Sequence, residues 1–310
     1  MYIVDSHCDS IQQVDRRRHG IVNPYNYSQK HRQLQFVALF CSWPGEAPEA
    51  CFKRAVRYLG HFTLAMAAEA DRVVPVHTWA DIETAFNADK HAALLTMEGG
   101  TGILGSEKLL RDFYLAGVRV FGLAWLSNDL AKSNRLEEGE ADTGLTDTGR
   151  AIVAEGNRLG MIFDVSHLSD KGFWDVAALS AKPPVATHSN FRALCPHSRN
   201  LTDDMAREII RRDGMIGLNL CPDFLHSDKT RQTVEAYFRH LDHCLSLGGE
   251  AHIGFGCDID GTSGKYPAPL DESGPIHDRL IEFMLRRNYT ETLVEQVAGG
   301  NWLRFLRKYL

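Results

Sequence analysis

A set of histidines and carboxylates shares one placement in this 310-residue sequence, each standing just past a short apolar run. His7-Cys8-Asp9 follows Tyr2-Ile3-Val4. In extended backbone, residues two apart face the same side, so this imidazole and carboxylate can grip one ion. Glu98 follows Ala92 to Met97, and a carboxylate has two oxygens, enough to bridge two cations. His167 ends the run Met161 to Val165 and His188 ends Pro184 to Thr187. Neutral imidazoles of this kind suit a borderline metal such as zinc. Taken singly, each residue has a plainer reading: a polar pair, a cap before Gly99-Gly100, a hydrogen-bonded histidine. Those readings account for the residues one at a time and leave the shared placement unexplained.

Asp258 lies in Gly256-Cys257-Asp258-Ile259-Asp260-Gly261, after the run His252 to Gly256. A carboxylate beside cations but not committed to them can carry a proton from water to a departing amine. Asp260, on the same strand face, is the rival for that task; its other role is a turn or cap carboxylate before Gly261. Arg199 stands eleven residues past His188. A guanidinium grips carboxylates in a planar, two-pronged contact, so Arg199 either holds a substrate carboxylate or satisfies its own loop.

Elements of regular spacing must bring these residues together. The inner strands are expected at Tyr2 to Ser6, Phe36 to Cys41, Ala92 to Met97, Val118 to Ala124, Met161 to Ser166, Pro184 to Thr187, Met215 to Leu220 and His252 to Cys257. Helical patterns alternate with them, at Ala47 to Ala70, Trp79 to Asn87, Glu107 to Ala116, Thr146 to Leu159, Ser169 to Leu179, Thr202 to Arg212, Thr230 to Leu247 and twice after Ile276. Continuous apolar runs suit strands covered on both faces, and eight of them predict closure into a (β/α)8 TIM barrel occupying residues 1–310 as one domain. Strand ends would then deliver every candidate to one mouth. An open doubly wound sheet is the alternative. The polar, Gly- or Pro-bearing stretches Leu126 to Leu145 and Gly261 to Ile276 each follow a strand and are expected to form lids or substrate walls.

Composition narrows the partners. With 44% hydrophobic residues the chain can build a sizeable core, and a net charge of −6 gives no reason to expect nucleic acid. Arg16-Arg17-Arg18 and Arg211-Arg212 are read as solvated faces. Seven cysteines form no C-x-x-C pair, which argues against a disulfide framework or a structural zinc knot. No apolar run is long enough to span a bilayer, and the amino terminus lacks the layout of a secretory leader, so a cytoplasmic, membrane-free protein is expected. His61, His240 and His243 fall in helical stretches, while His19, His31, His91 and His226 are expected at the surface.

The segments Asp5-Ser6-His7-Cys8-Asp9, Met97-Glu98-Gly99-Gly100, Asp164-Val165-Ser166-His167-Leu168-Ser169, Thr187-His188-Ser189-Asn190, Ser198-Arg199-Asn200-Leu201 and Gly254 to Gly261 resemble, in order and spacing, the membrane (renal) dipeptidase family, peptidase family M19. Gly300-Asn301-Trp302-Leu303-Arg304 resembles that family's Gly-Asn-Phe-Leu-Arg ending. The resemblance implies an amidohydrolase-type barrel that hydrolyses dipeptides, L,D-dipeptides among the candidates, in a soluble bacterial-type member. It also implies two zinc ions, His7, Asp9 and Glu98 holding one and Glu98, His167 and His188 the other, bridged by Glu98 and a water or hydroxide. Asp258 matches the family's catalytic aspartate, and Arg199 the arginine that receives the terminal carboxylate. A homodimer is the oligomer the resemblance suggests.

Two positions depart from the pattern. Where animal members carry a substrate-contacting histidine, this sequence has Trp125, which can pack or donate one hydrogen bond but cannot accept one. Leu218-Asn219-Leu220-Cys221-Pro222 replaces the usual Asn-Phe-Tyr. Hydrolysis of N-acyl amino acids or cyclic amides at the same centre is the rival activity, and an inactive ligand-binding barrel the rival class.

Overall fold

The computed structural model describes the whole chain except residues 17–18, 24–26, 263 and 272–273. Its strands are β1 (Tyr2–Asp5), β2 (Arg32–Phe40), β3 (Val73–Val76), β4 (His91–Glu98), β5 (Val120–Gly122), β6 (Ile162–Asp164), β7 (Val185–Ala186), β8 (Met215–Leu218) and β9 (Ile253–Phe255). All pair in parallel in the order β2-β1-β9-β8-β7-β6-β5-β4-β3. A further pairing of β2 with β4, in register from Leu34↔Ala92 to Phe40↔Glu98, closes eight of them into a barrel. The open-sheet alternative is thereby excluded.

The ninth strand is an addition. β3 pairs with His91 to Leu94 of β4, and β5 pairs with Thr96 to Glu98 on the same strand, so β3 extends the lower part of the β4 edge outside the ring. Helices cover the outside, among them Pro48–Ala68, Trp79–Asn87, Glu107–Leu115, Asp147–Leu159, Asp170–Leu179, Asp203–Arg211 and Val234–Ser246. Threonines cap two of the helices: Thr202 accepts from the Met205 amide and Thr290 from the Leu293 amide. Two short helices escape the sequence pattern, Ser10–Asp15 and Pro222–Leu225. His91 is also buried, at the foot of β4, accepting from the Gln33 amide.

The inner wall explains why chemistry sits at one end. Val4, Leu34, Phe36, Ala92, Leu94, Val120, Ile162, Val185 and Met215 form one buried cluster with Trp302, Phe305 and Leu306 of the final helix, Asn301–Tyr309. That helix plugs the floor, with the Trp302 ring 5.3 Å from Phe36. Side chains alternate along a strand, so Glu98 shares the inward face of Ala92 and Leu94 but lies at the opposite, open end. Just below the mouth the interior is tight: a Cβ on Gly256 would lie 2.0 Å from the Thr187 carbonyl oxygen. All seven cysteines are free thiols, and no helix among the described residues is long and apolar enough to cross a membrane.

Candidate metal centre

His7, Asp9, Glu98, His167, His188 and Asp258 converge at the mouth, and all are buried. Glu98 is the hub. Its Oε2 lies 3.4 Å from His7 Nε2, and its Oε1 lies 2.7 Å from His167 Nε2 and 3.5 Å from His188 Nε2. His7 Nε2 is also 3.7 Å from Asp9 Oδ2 and 3.9 Å from Asp258 Oδ1. Three donor sets overlap here: His7/Asp9/Glu98 and Glu98/His167/His188 share Glu98, and His7/His188/Asp258 spans the two.

Two observations test whether such a centre fits cations. His7 Nε2 and Glu98 Oε2 are buried with no hydrogen-bond partner, a costly condition that an ion between them removes. The histidine lone pairs also face inward. Thr187 Oγ1 donates to Asp164 Oδ2 at 2.5 Å, so it accepts from His188 Nδ1 at 2.8 Å, which leaves the Nε2 lone pair directed at His167 Nε2, 3.0 Å away. Burial, reinforced by Arg199, pushes both His167 and His188 well below the usual imidazole range, so they are neutral donors. Burial and the facing Asp9 push Glu98 up to about 7; burial, with Asp9 against it, pushes Asp258 to about 6. For His7, burial is outweighed by Glu98 and Asp9, and its pKa rises. Three carboxylates confined with His7 and two neutral imidazoles form a donor set suited to divalent cations.

Two aspartates that sequence reasoning gave no role hold this arrangement. Asp5 Oδ1 accepts the His7 amide at 3.2 Å and the Cys257 amide at 2.9 Å, while Oδ2 meets His277 Nε2 at 2.7 Å. Asp164 repeats the device: its Oδ1 accepts the Ser166 and Thr187 amides, both at 3.0 Å. In each case a buried carboxylate ties its own strand's exit to the residue before a mouth group, Asp258 or His188. Asn219, noted in the sequence only as a departure, donates to Asp258 Oδ2 at 3.0 Å. The visible signal was an aspartate closing each strand, two residues before His7 and three before His167; the partners come from other strands.

Asp258 itself has φ 57°, a left-handed backbone that aims its carboxylate back toward His7. Asp260 turns elsewhere, accepting from Ser10 Oγ at 2.7 Å and facing His19 at 3.3 Å. Gly261 closes the turn so tightly that a Cβ there would lie 2.0 Å from Asp258 Oδ1 and 2.4 Å from Asp9 Oδ2. Gly261→Ala is therefore expected to leave the fold intact, because only mobile carboxylate ends must yield, yet to displace both groups. A misplacement near 1 Å costs roughly a hundredfold in turnover; near-normal kcat/KM with an unchanged melting temperature would contradict the tight turn.

The centre floors a cavity of about 1040 Å3 lined by Trp125, Arg135, Arg199, Asp258 and Lys265 among others. Arg199 is buried and donates to the carbonyls of Ser166 and, at 3.1 Å, His188, and to Ser189 Oγ at 3.2 Å. No carboxylate pairs with it among the described residues. Its Nη2 also lies 3.0 Å from His167 Nε2, a contact that a cation on that nitrogen would replace. Trp125 wedges between Phe40, at 5.0 Å, and His167, at 6.0 Å. Both polar stretches act as walls, Leu126 to Leu145 contributing Arg135 and Gly261 to Ile276 contributing Lys265 and Tyr266. Of the arginine triplet, Arg16 lines the cavity, whereas Arg17 and Arg18 lie outside the described residues.

Known proteins carry the same architecture. A solved metallopeptidase described as dipeptidase AC of family M19 superposes with a TM-score of 0.87 at 29% identity, covering 100% of this chain and 98% of that one. A metallopeptidase from Rhodobacter sphaeroides, solved with a phosphinate mimic of the dipeptide L-Ala-D-Ala, gives 0.86 at 27% identity over 100% and 99%. The dipeptidase tcpJ of Claviceps purpurea is 32% identical over 78% of this chain, which spans 57% of that protein's length. A family model described as membrane dipeptidase (peptidase family M19) matches residues 1–309, and with the barrel closed and its mouth so furnished, the chain belongs to that family.

Proposed function

We propose that this protein is a zinc-dependent dipeptidase, in which His7, Asp9 and Glu98 hold one ion and Glu98, His167 and His188 the second. The observation that carries the reading is the convergence of two donor sets on the two oxygens of Glu98. Bound divalent cations lower the pKa of water toward about 7 and polarise a carbonyl oxygen. The protein's own groups do the rest. Asp258, aimed at the centre and steadied by Asn219, takes the proton of the attacking water and passes it to the departing nitrogen. Arg199 holds the substrate's terminal carboxylate, which limits the site to short peptides. Trp125 supplies a hydrophobic wall where animal relatives have a polar contact. We take residues 1–310 as one working domain, and as a homodimer located in the cytoplasm.

Metal analysis combined with a peptide panel tests this reading. Gently purified protein should carry close to two zinc ions per chain and cleave dipeptides, L,D pairs among them. Chelation should abolish turnover and zinc should restore it. Activity confined to N-acyl amino acids would move the substrate to the rival class, and a metal-free, inactive protein would make it a binding barrel.

A further inference from the structure

Arg135 is a charge on the cavity wall that the hydrolytic reading does not use. It sits in the wall after β5, its side chain open to the pocket, and its guanidinium lies 4.1 Å over the Trp125 ring. Among the described residues the guanidinium has neither a carboxylate partner nor a hydrogen-bond acceptor; only the backbone amide of Arg135 donates, to Ser133 Oγ at 2.9 Å. Several arginines elsewhere are held by carboxylates: Arg192 forms a two-pronged contact with Asp170 at 2.7 and 2.8 Å, and Arg211 does the same with Glu208. An ordinary exposed arginine is simply solvated. Arg135 differs because the stack fixes it, and Trp125 is itself held between Phe40 and His167. A guanidinium fixed on an aromatic face keeps its N–H edge free for an anion.

We propose that Arg135 on its Trp125 platform is a second anion subsite, and that the preferred substrate is a dipeptide bearing an acidic side chain. This rests on the dipeptidase reading. Arg199 and Arg135 both line the cavity and both lack a carboxylate, whereas a dipeptide with neutral side chains brings only one. Arg16, a third guanidinium on the cavity, donates to Gln12 Oε1 at 3.4 Å, which leaves two guanidinium groups to match two carboxylates. The surroundings agree. Lys229 and Lys265 also line the cavity without a carboxylate partner among the described residues. The nearby acids are engaged, Asp260 with Ser10 and Asp223 with Gln232 at 3.1 Å.

The test compares isosteric pairs with zinc-loaded protein: Ala-Asp, Ala-Glu, Asp-Ala and Glu-Ala against Ala-Asn, Ala-Gln, Asn-Ala and Gln-Ala. At least one acid should exceed its amide in kcat/KM by about tenfold to a hundredfold, the span of a charged hydrogen bond. R135Q should bring that ratio near one, and R135K should retain part of it. Calorimetry of the same pairs on D258N protein should show the same order in affinity. Equal ratios in the native enzyme, or a preference that survives R135Q, would overturn the subsite while dipeptide hydrolysis stands. No cleavage or binding of any dipeptide would overturn both.

Discussion

Glu98→Gln is expected to empty the whole centre, with both metal ions lost together and kcat/KM falling about a thousandfold or more. The reason is the position of Glu98, whose two oxygens face different donor sets, one toward His7 and the other toward His167 and His188. Glutamine keeps the shape but offers one neutral carbonyl oxygen and an amide that cannot ligate. The fold should survive the exchange. Without metal, a carboxyl pushed up to about 7 by burial and by Asp9 is a strained charge, and its removal should leave the metal-free protein as stable as before, or more so. Metal content, circular dichroism and melting temperature read these effects separately. Loss of one ion with retention of the other would break the bridging assignment.

Asp258→Asn should do the opposite: metal stays and turnover goes. The carboxylate also groups with His7 and His188, but it is absent from both donor sets built around Glu98, which its loss leaves intact. Asparagine tolerates the left-handed backbone at φ 57° and can keep the contact with Asn219 through its own oxygen. What it cannot do is take a proton. A general acid-base group contributes about a hundredfold to ten-thousandfold, so kcat should fall by that much with KM little changed. Unaltered turnover would sink the proton-carrier role, and loss of zinc would show that Asp258 is a ligand instead.

Much of this architecture was legible in the chain because ligands at the ends of continuous apolar runs are a local signal. The runs ending at Glu98 and His167 became β4 and β6, with side chains facing where strand alternation requires. β3 was not legible, since Pro75 interrupts Val73-Val74-Pro75-Val76, and proline disqualifies a central strand. It is tolerated here because β3 has only one partner and its other edge is free of the barrel ladder. Asp5, Asp164, Asn219 and His277 escaped for another reason. Their work depends on contacts across the ring, such as His277 reaching Asp5 over 272 residues, and no local spacing announces that. Nothing local in the polar stretch Leu126 to Leu145 singles out Arg135, which only the fold sets over Trp125.

The twin aspartates bear on how the ring is assembled. Around the barrel, two seams are registered by a single residue pair, Asp5↔Phe255 between β1 and β9 and Asp164↔Val185 between β6 and β7. They divide the cylinder into a leaf of five strands and a leaf of three. His7, Glu98 and His167 belong to the larger leaf, His188 and Asp258 to the smaller, and Asp5 and Asp164 are the clasps, one at each seam. The catalytic mouth is thus where two halves of a shell are buttoned, and the geometry of the chemistry is inherited from how well those buttons hold.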